Sequence, residues 1–198
     1  REKGSFEYKG HTYEYQDKIV LQVAEVMDRH EPLPFINEYL MGAMQELGDA
    51  FGRGDASLPH LLKAADVMRA CMGFLEQFMR NEAGIDVHSK IEYKGVVVLG
   101  TVYQDVHSIG KDLAKTLLEN YGYRVIDLGV MTPLQKFIDT AKEYNATAVG
   151  MSALLVQTSN HMITVSKMMT EQDLGDTPIL IGGAPVNDRH AAYVAMAG

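Results

Sequence analysis

Asp105-Val106-His107-Ser108-Ile109-Gly110 is the segment of this 198-residue chain best equipped for chemistry. It leaves an apolar run, Gly95 to Gly100, and enters an amphipathic stretch, Lys111 to Tyr121. A histidine two residues after an aspartate, in the loop leaving a buried strand, suits a metal. The carboxylate can accept the proton on the imidazole's second nitrogen, which fixes the ring and raises its basicity as a ligand. Gly110 relaxes the backbone where a large flat ligand could approach. Standing alone, Asp105 would serve equally as a helix N-cap and His107 as a turn residue. Two other loops bear on the choice. Met151 to Ser159 carries Ser152, Thr158 and Ser159 around Leu154, and Ile181-Gly182-Gly183-Ala184-Pro185 carries a glycine pair. Glycines there mean a tight turn or a ligand lying against bare backbone. In order, the three loops offer a ligating imidazole, hydroxyl donors and a glycine pair. That set suits a long ligand with one end at the histidine and a tail running between strands.

These residues need a framework that brings the three loops together. Val96 to Leu99 is a continuous apolar run, the sign of a strand buried on both faces. Similar runs recur at Tyr123 to Leu128, Thr147 to Ser152 and Pro178 to Ile181, with helical patterns over Gly110 to Asn120, Pro133 to Tyr144 and Ser159 to Leu174. The alternation predicts βαβ units and a parallel sheet with right-handed crossovers. Ligands of such sheets bind beyond the carboxyl ends of the strands, where all three loops fall.

The first half has a different period. Ile19, Val23 and Met27 repeat at four-residue spacing, and Pro32 and Pro34 break the run. Ile36, Leu40, Met44, Leu47 and Phe51 form a second stripe, and Leu61, Leu62, Ala65, Met68, Met72, Leu75 and Met79 a third. Ser57 reads as the N-cap of that third helix, with Pro59 in its first turn. The expected organisation is a polar, tyrosine-rich arm or linker over 1–16, with a small hairpin at Lys9-Gly10 as the alternative. A helical bundle over 17–81, a linker over 82–92 and an α/β domain over 93–198 follow. The opening at Arg1 and the close at Gly198 suggest a piece of something longer.

Composition narrows the function. A formal charge of −8 with no local Lys/Arg cluster argues against a phosphate-binding surface and so against nucleic acid. No apolar run approaches the roughly 20 residues of a membrane span. The lone Cys71 cannot form an internal disulfide, which suits a reducing cytoplasm, and its place in the third stripe suits inert packing. The twelve methionines suit an adaptable core. His11, His30, His60, His88, His161 and His190 lack metal-ligand spacing and read as surface or loop residues.

The ordered set Asp-x-His-x-x-Gly, Ser-x-Leu and Gly-Gly resembles the signature of the cobalamin-binding domain of methionine synthases and corrinoid methyl-carrier proteins. Val125-Ile126-Asp127-Leu128-Gly129-Val130 and Ile181-Gly182-Gly183-Ala184 are similar to the methionine synthase branch. Met44 to Gly54 and Leu58 to Ala65 resemble the helical cap that precedes the domain, so the likeness spans roughly residues 19 to 197. The resemblance implies a helical-bundle cap followed by a flavodoxin- or Rossmann-like parallel sheet with helices on both faces. Its cofactor would be cobalamin, as methylcobalamin or another corrinoid, held with its own base detached and His107 as the lower ligand of cobalt. Asp105 would accept from the second imidazole nitrogen and take up a proton when the ligand lets go. Thr158 or Ser159 would extend the relay. Ser152 and Leu154 would line the slot for the nucleotide tail, with Gly110, Gly182 and Gly183 as bare backbone. Phe51, Leu58 and Leu61 would cover the upper face, where the methyl group sits. The implied partners are methyl-donor and methyl-acceptor methyltransferase domains or subunits and a reductive reactivation partner, the chain catalysing neither transfer alone. Val156 stands where many relatives have threonine, and the family's further strand after residue 197 is missing. A mutase would cover its cofactor with a barrel instead of a helical cap. A cobalamin-dependent regulator would bring a helix-turn-helix, and a flavodoxin a hydroxyl-rich phosphate loop; neither is present.

Overall fold

The computed structural model describes residues 3–84 and 90–198, which divide into two compact units at Glu92/Tyr93. The expected linker over 82–92 lies partly outside the described residues, as does His88.

The first unit opens with a structure that the arm reading missed and the hairpin alternative had. Strands β1 (Gly4–Tyr8) and β2 (His11–Tyr15) pair antiparallel around Lys9-Gly10. Phe6 and Tyr8 alternate along one strand and Tyr13 and Tyr15 along the other, so a single face collects the aromatic rings. That face packs on α4 (Leu58–Ala83): Tyr13 is fully buried, its ring edge-on to Phe74 at 5.0 Å, and Tyr8 meets Phe78 at 5.7 Å. Burial of Tyr13 and the ring contacts of Phe6 and Tyr8 with α4 together offset the entropy of ordering the hairpin.

Helix α1 (Ile19–Val26) buries Val20, Val23 and Ala24. Pro32 and Pro34 open the next helix instead of only ending the last one, because a first turn needs no amide donors. This α2 (Pro32–Pro34) continues through a π-helical segment, Phe35–Leu40, into α3 (Met41–Gly52). Ser57 caps α4 as expected, in a capping box closed by His60, and the helix ends at Gly84 in left-handed conformation. His60 is thus a surface residue, as expected, placed at a helix start. Cys71 is buried in α4, and burial pushes its thiol up to about 11, with Asp17 adding to the rise, so it is inert.

The second unit is a four-stranded sheet in the order β4-β3-β5-β6, every pair parallel. The strands are β3 (Val96–Thr101), β4 (Arg124–Asp127), β5 (Ala148–Ser152) and β6 (Ile179–Gly182). The helices between them are α5 (Ile109–Asn120), α6 (Leu134–Glu143) and α7 (Val156–Glu171). The chain steps one way from β3 to β4 and the other way from β4 to β5. Right-handed crossovers then put α5 on one face and α6 and α7 on the other. Val98, Val149, Met151, Phe137, Ile138, Met162 and Val165 are buried together between the sheet and these helices. A final helix, α8 (Asp188–Ala197), had no counterpart in the sequence reading; Asn187 caps it by accepting from the His190 amide at 3.0 Å. No helix among the described residues is long and apolar enough to cross a membrane.

Candidate functional site

The strand order reverses direction at β3, and sheets of this kind bind ligands beyond the carboxyl ends of the strands at such a point. Asp105 sits there, following β3, and is fully buried. One carboxylate oxygen accepts from the His107 imidazole Nδ1 at 2.7 Å and from the His107 amide at 3.1 Å. The other accepts from the Thr158 hydroxyl at 2.7 Å and from the amides of Leu154 at 2.9 Å and Leu155 at 3.3 Å. One carboxylate therefore ties the loop after β3 to the start of α7. Of the two hydroxyls at the head of α7, it is Thr158 that meets Asp105. The Ser159 hydroxyl turns back to the Val156 carbonyl at 2.8 Å.

Burial pushes the Asp105 carboxyl up, but the hydrogen bonds from Thr158, His107 and Leu154 outweigh it and hold the group well below the usual carboxylate range. An ionised Asp105 makes Nδ1 of His107 the donor, and Nε2 has no hydrogen-bond partner among the described residues. The His107 side chain is 45% exposed, and its carbonyl accepts from the Thr101 hydroxyl at 2.8 Å. An oriented imidazole with one accessible nitrogen is suited to ligating a metal. Among the described residues no group of three protein ligands could hold an ion alone. A metal bound here must bring its other ligands with it.

Sequence reading missed the apolar ring around that histidine. Val106, Ile109, Val130, Met131, Leu155 and Val156 are all exposed at the same ends of β3, β4 and β5, Ile109 at 87% and Val156 at 70%. Their types are those of core residues, so only their exposure gives them away. Such a patch marks a binding surface, here one suited to a wide, flat, largely apolar face. Gln104 and Met131 hold left-handed backbone (φ +62° and +51°) beside it. Strain of this kind collects at ligand sites.

The remaining candidates fall as follows. Ser152 ends β5, half-buried, paired in register with Thr101 and Gly182. Leu154 contributes its amide to Asp105 and leaves its side chain exposed. Gly110 lies in the first turn of α5, with open space where a side chain would stand. The two glycines after β6 differ. A Cβ on Gly183 would lie 1.7 Å from the Ala153 carbonyl oxygen, so this residue must be glycine for the fold itself. A Cβ on Gly182 would meet nothing within 4 Å, so its bare backbone borders open space. In the helical unit Phe51 and Leu58 are half-buried, whereas Leu61 is fully buried and has no free surface to offer a ligand. Leu61 thus packs as a core residue.

An open parallel sheet presenting a carboxylate-held imidazole at its switch point, ringed by exposed apolar side chains, defines a cofactor-binding α/β domain. Two family models, each described as a B12 binding domain, match residues 95–197 and 16–76. The chain belongs to this B12-binding family, whose cofactor is a corrinoid. Dimethylamine corrinoid protein 2 of Methanosarcina acetivorans is 33% identical over 177 residues, covering 89% of this chain and 79% of its own. Methionine synthase of Mycobacterium tuberculosis is 38% identical over 161 residues, 81% of this chain but 13% of that protein. A crystal structure of the methanol:cobalamin methyltransferase complex MtaBC from Methanosarcina barkeri shares the fold, with a TM-score of 0.77 at 24% identity over 91% of this chain and 70% of that one. The residues present fit a corrinoid. His107 could supply a nitrogen to the cobalt, the exposed apolar side chains would suit a macrocycle face, and the open backbone at Gly182 would leave room for a tail.

Proposed function

We propose that this chain carries a methyl group on a corrinoid held with its own base detached and with His107 as the lower ligand. The observation that carries the reading is the half-exposed His107 imidazole, pinned through Nδ1 to a buried carboxylate at 2.7 Å with Nε2 free. When bound, the corrinoid supplies a cobalt centre that can accept a methyl group and give it up again. Everything else is the work of the polypeptide. Asp105 holds the imidazole at one height and tautomer, and Thr158 with the Leu154 and Leu155 amides holds Asp105. The sequence alone assigns a proton to Asp105 when the ligand is released. Against the upward push of burial, hydrogen bonds from Thr158, His107 and Leu154 hold that carboxyl well below its usual range, and the Asp105–His107–Thr158 relay is where the proton is taken up. Val106, Ile109, Met131 and Val156 would exclude water from a bound macrocycle, Ser152 and Gly182 would border its tail, and Phe51 and Leu58 are the candidates in the helical unit for covering it.

The methyl group would come from one methyltransferase partner and leave to another, with a reductive partner to restore activity, in the cytoplasm. A carrier serving separate methyltransferase subunits is favoured by the dimethylamine corrinoid protein, which matches over most of its own length. A methionine synthase module is the second reading, favoured by the 38% identity within that longer protein. The test is the visible absorption spectrum of the protein mixed with hydroxocobalamin, beside His107→Ala. We expect tight binding with a histidine-ligated spectrum, and loss of that spectrum in the variant. Identical spectra and affinities for the two proteins would remove the axial-ligand role.

A further inference from the structure

We infer that Lys111 is a positioning residue for the axial histidine, acting through Asp127 to lock the loop after β4 onto the loop that carries His107. The inference rests on, and deepens, the corrinoid reading. Lys111 lies one turn beyond His107, in α5, and only 2% of its side chain is exposed. Its ammonium reaches both carboxylate oxygens of Asp127, at 2.7 and 2.8 Å, and Asp112 at 2.6 Å. Burial would pull a lone ammonium down, but Asp112 and Asp127 outweigh it and raise Lys111 above the usual lysine range. The charge is therefore kept in a place where apolar packing would cost less.

What the charge secures can be followed bond by bond. Asp127 ends β4, its side chain 22% exposed, and its Oδ1 also accepts from the Gly129 amide at 2.9 Å. The Gly129 carbonyl accepts from the Thr101 amide at 2.9 Å, and the Thr132 amide donates to the Thr101 carbonyl at 3.0 Å. The Met131 amide donates to the Asp105 carbonyl at 2.8 Å. Thr101 closes the circuit, its hydroxyl donating to the His107 carbonyl. Through this circuit α5, the end of β4 and the histidine loop share one geometry. Lys111 joins α5 to Asp127 where, among the described residues, no backbone bond does. Lys115 stands 3.4 Å from the same carboxylate, too long to fix its orientation.

The test compares Lys111→Met, Asp127→Asn and the double variant Lys111→Met/Asp127→Leu, which leaves no lone buried charge at the pair. Lys167→Met, which breaks only the exposed Lys167–Glu171 pair, is the control. The first readout needs no corrinoid: the NMR signal of the His107 Nδ1 proton in its bond to Asp105. It should broaden or vanish in all three test variants and stay in the control. The double variant should recover urea stability relative to Lys111→Met without recovering that signal, because Gly129 has lost its acceptor. The second readout is hydroxocobalamin affinity, expected to fall about tenfold with loss of the histidine-ligated spectrum. Should a single variant fail to fold, the double variant reads the same proton. An unshifted His107 signal in the folded double variant overturns the inference. Failure of the wild type to bind hydroxocobalamin would instead count against the corrinoid reading, and the first readout would still judge Lys111.

Discussion

Thr158→Val is the sharpest probe of the carboxylate beneath His107. Valine matches threonine in shape, so the change opens no cavity and removes one hydroxyl from a site only 5% exposed. The lost bond is 2.7 Å long, buried, and made to an ionised acceptor. Such bonds contribute about 1.5–3 kcal/mol. Asp105 keeps four other donors, from His107, Leu154 and Leu155, so the carboxylate is weakened and not stranded. A loss of about 2 kcal/mol in the α/β unit is therefore expected. At a urea slope of about 2 kcal/mol per molar, that moves the midpoint down by roughly 1 M, followed by the His107 resonance. Ser159→Ala is the paired measurement. Its hydroxyl bonds only to a carbonyl of its own helix, so the change should cost less than about 0.5 kcal/mol. Equal losses in the two variants, or the larger loss at Ser159, would refute the assignment of Thr158 to Asp105.

Gly183→Ala should cost more than about 3 kcal/mol, because its new carbon would collide with the Ala153 carbonyl and its φ of +126° suits no other residue; a urea midpoint near wild type would contradict this. Gly182→Ala should leave stability within about 1 kcal/mol yet weaken hydroxocobalamin binding severalfold, read by titration of the absorption change; unchanged binding would place the tail elsewhere. Stability should also fall in acid. Asp105, Asp112 and Asp127 all have folded values below the ordinary 3.8, so their contribution is complete above that value and is lost as pH falls through the folded values. Urea midpoints taken between pH 5 and pH 2 should drop steadily, and Asp105→Asn should flatten the slope.

The parallel sheet was legible because Val96 to Leu99 and Thr147 to Ser152 are apolar without interruption, which strands buried on both faces require. The aspartate–histidine pair was legible from its spacing only together with the Ser152 and Gly182-Gly183 loops, because alone it suited a cap and a turn equally. Thr158 and Ser159 could not be told apart, because neighbouring residues on a helix differ by about 100° in direction, and only the start of α7 at Val156 sets which one faces β3. The hairpin was written in the alternation of Phe6, Tyr8, Tyr13 and Tyr15, but its polar outer residues read as a linker until α4 supplied a partner. Helix α8 buries only Val194 among its ten residues, too little for a stripe to show. Val106, Ile109 and Val156 are indistinguishable by type from core residues, so their exposure belongs to the folded chain alone.

The hairpin also carries a kinetic consequence. Asn81 and Tyr13 touch across a separation of 68 residues, so the opening strands must wait for the far end of α4 before they gain anything by ordering. Assembly of the helical unit thus ends with a long-range closure, which slows it relative to a bundle assembled from neighbours in sequence. A version trimmed to start at residue 16 would keep every helix yet leave Phe74 and Phe78 wet, and it should self-associate through them.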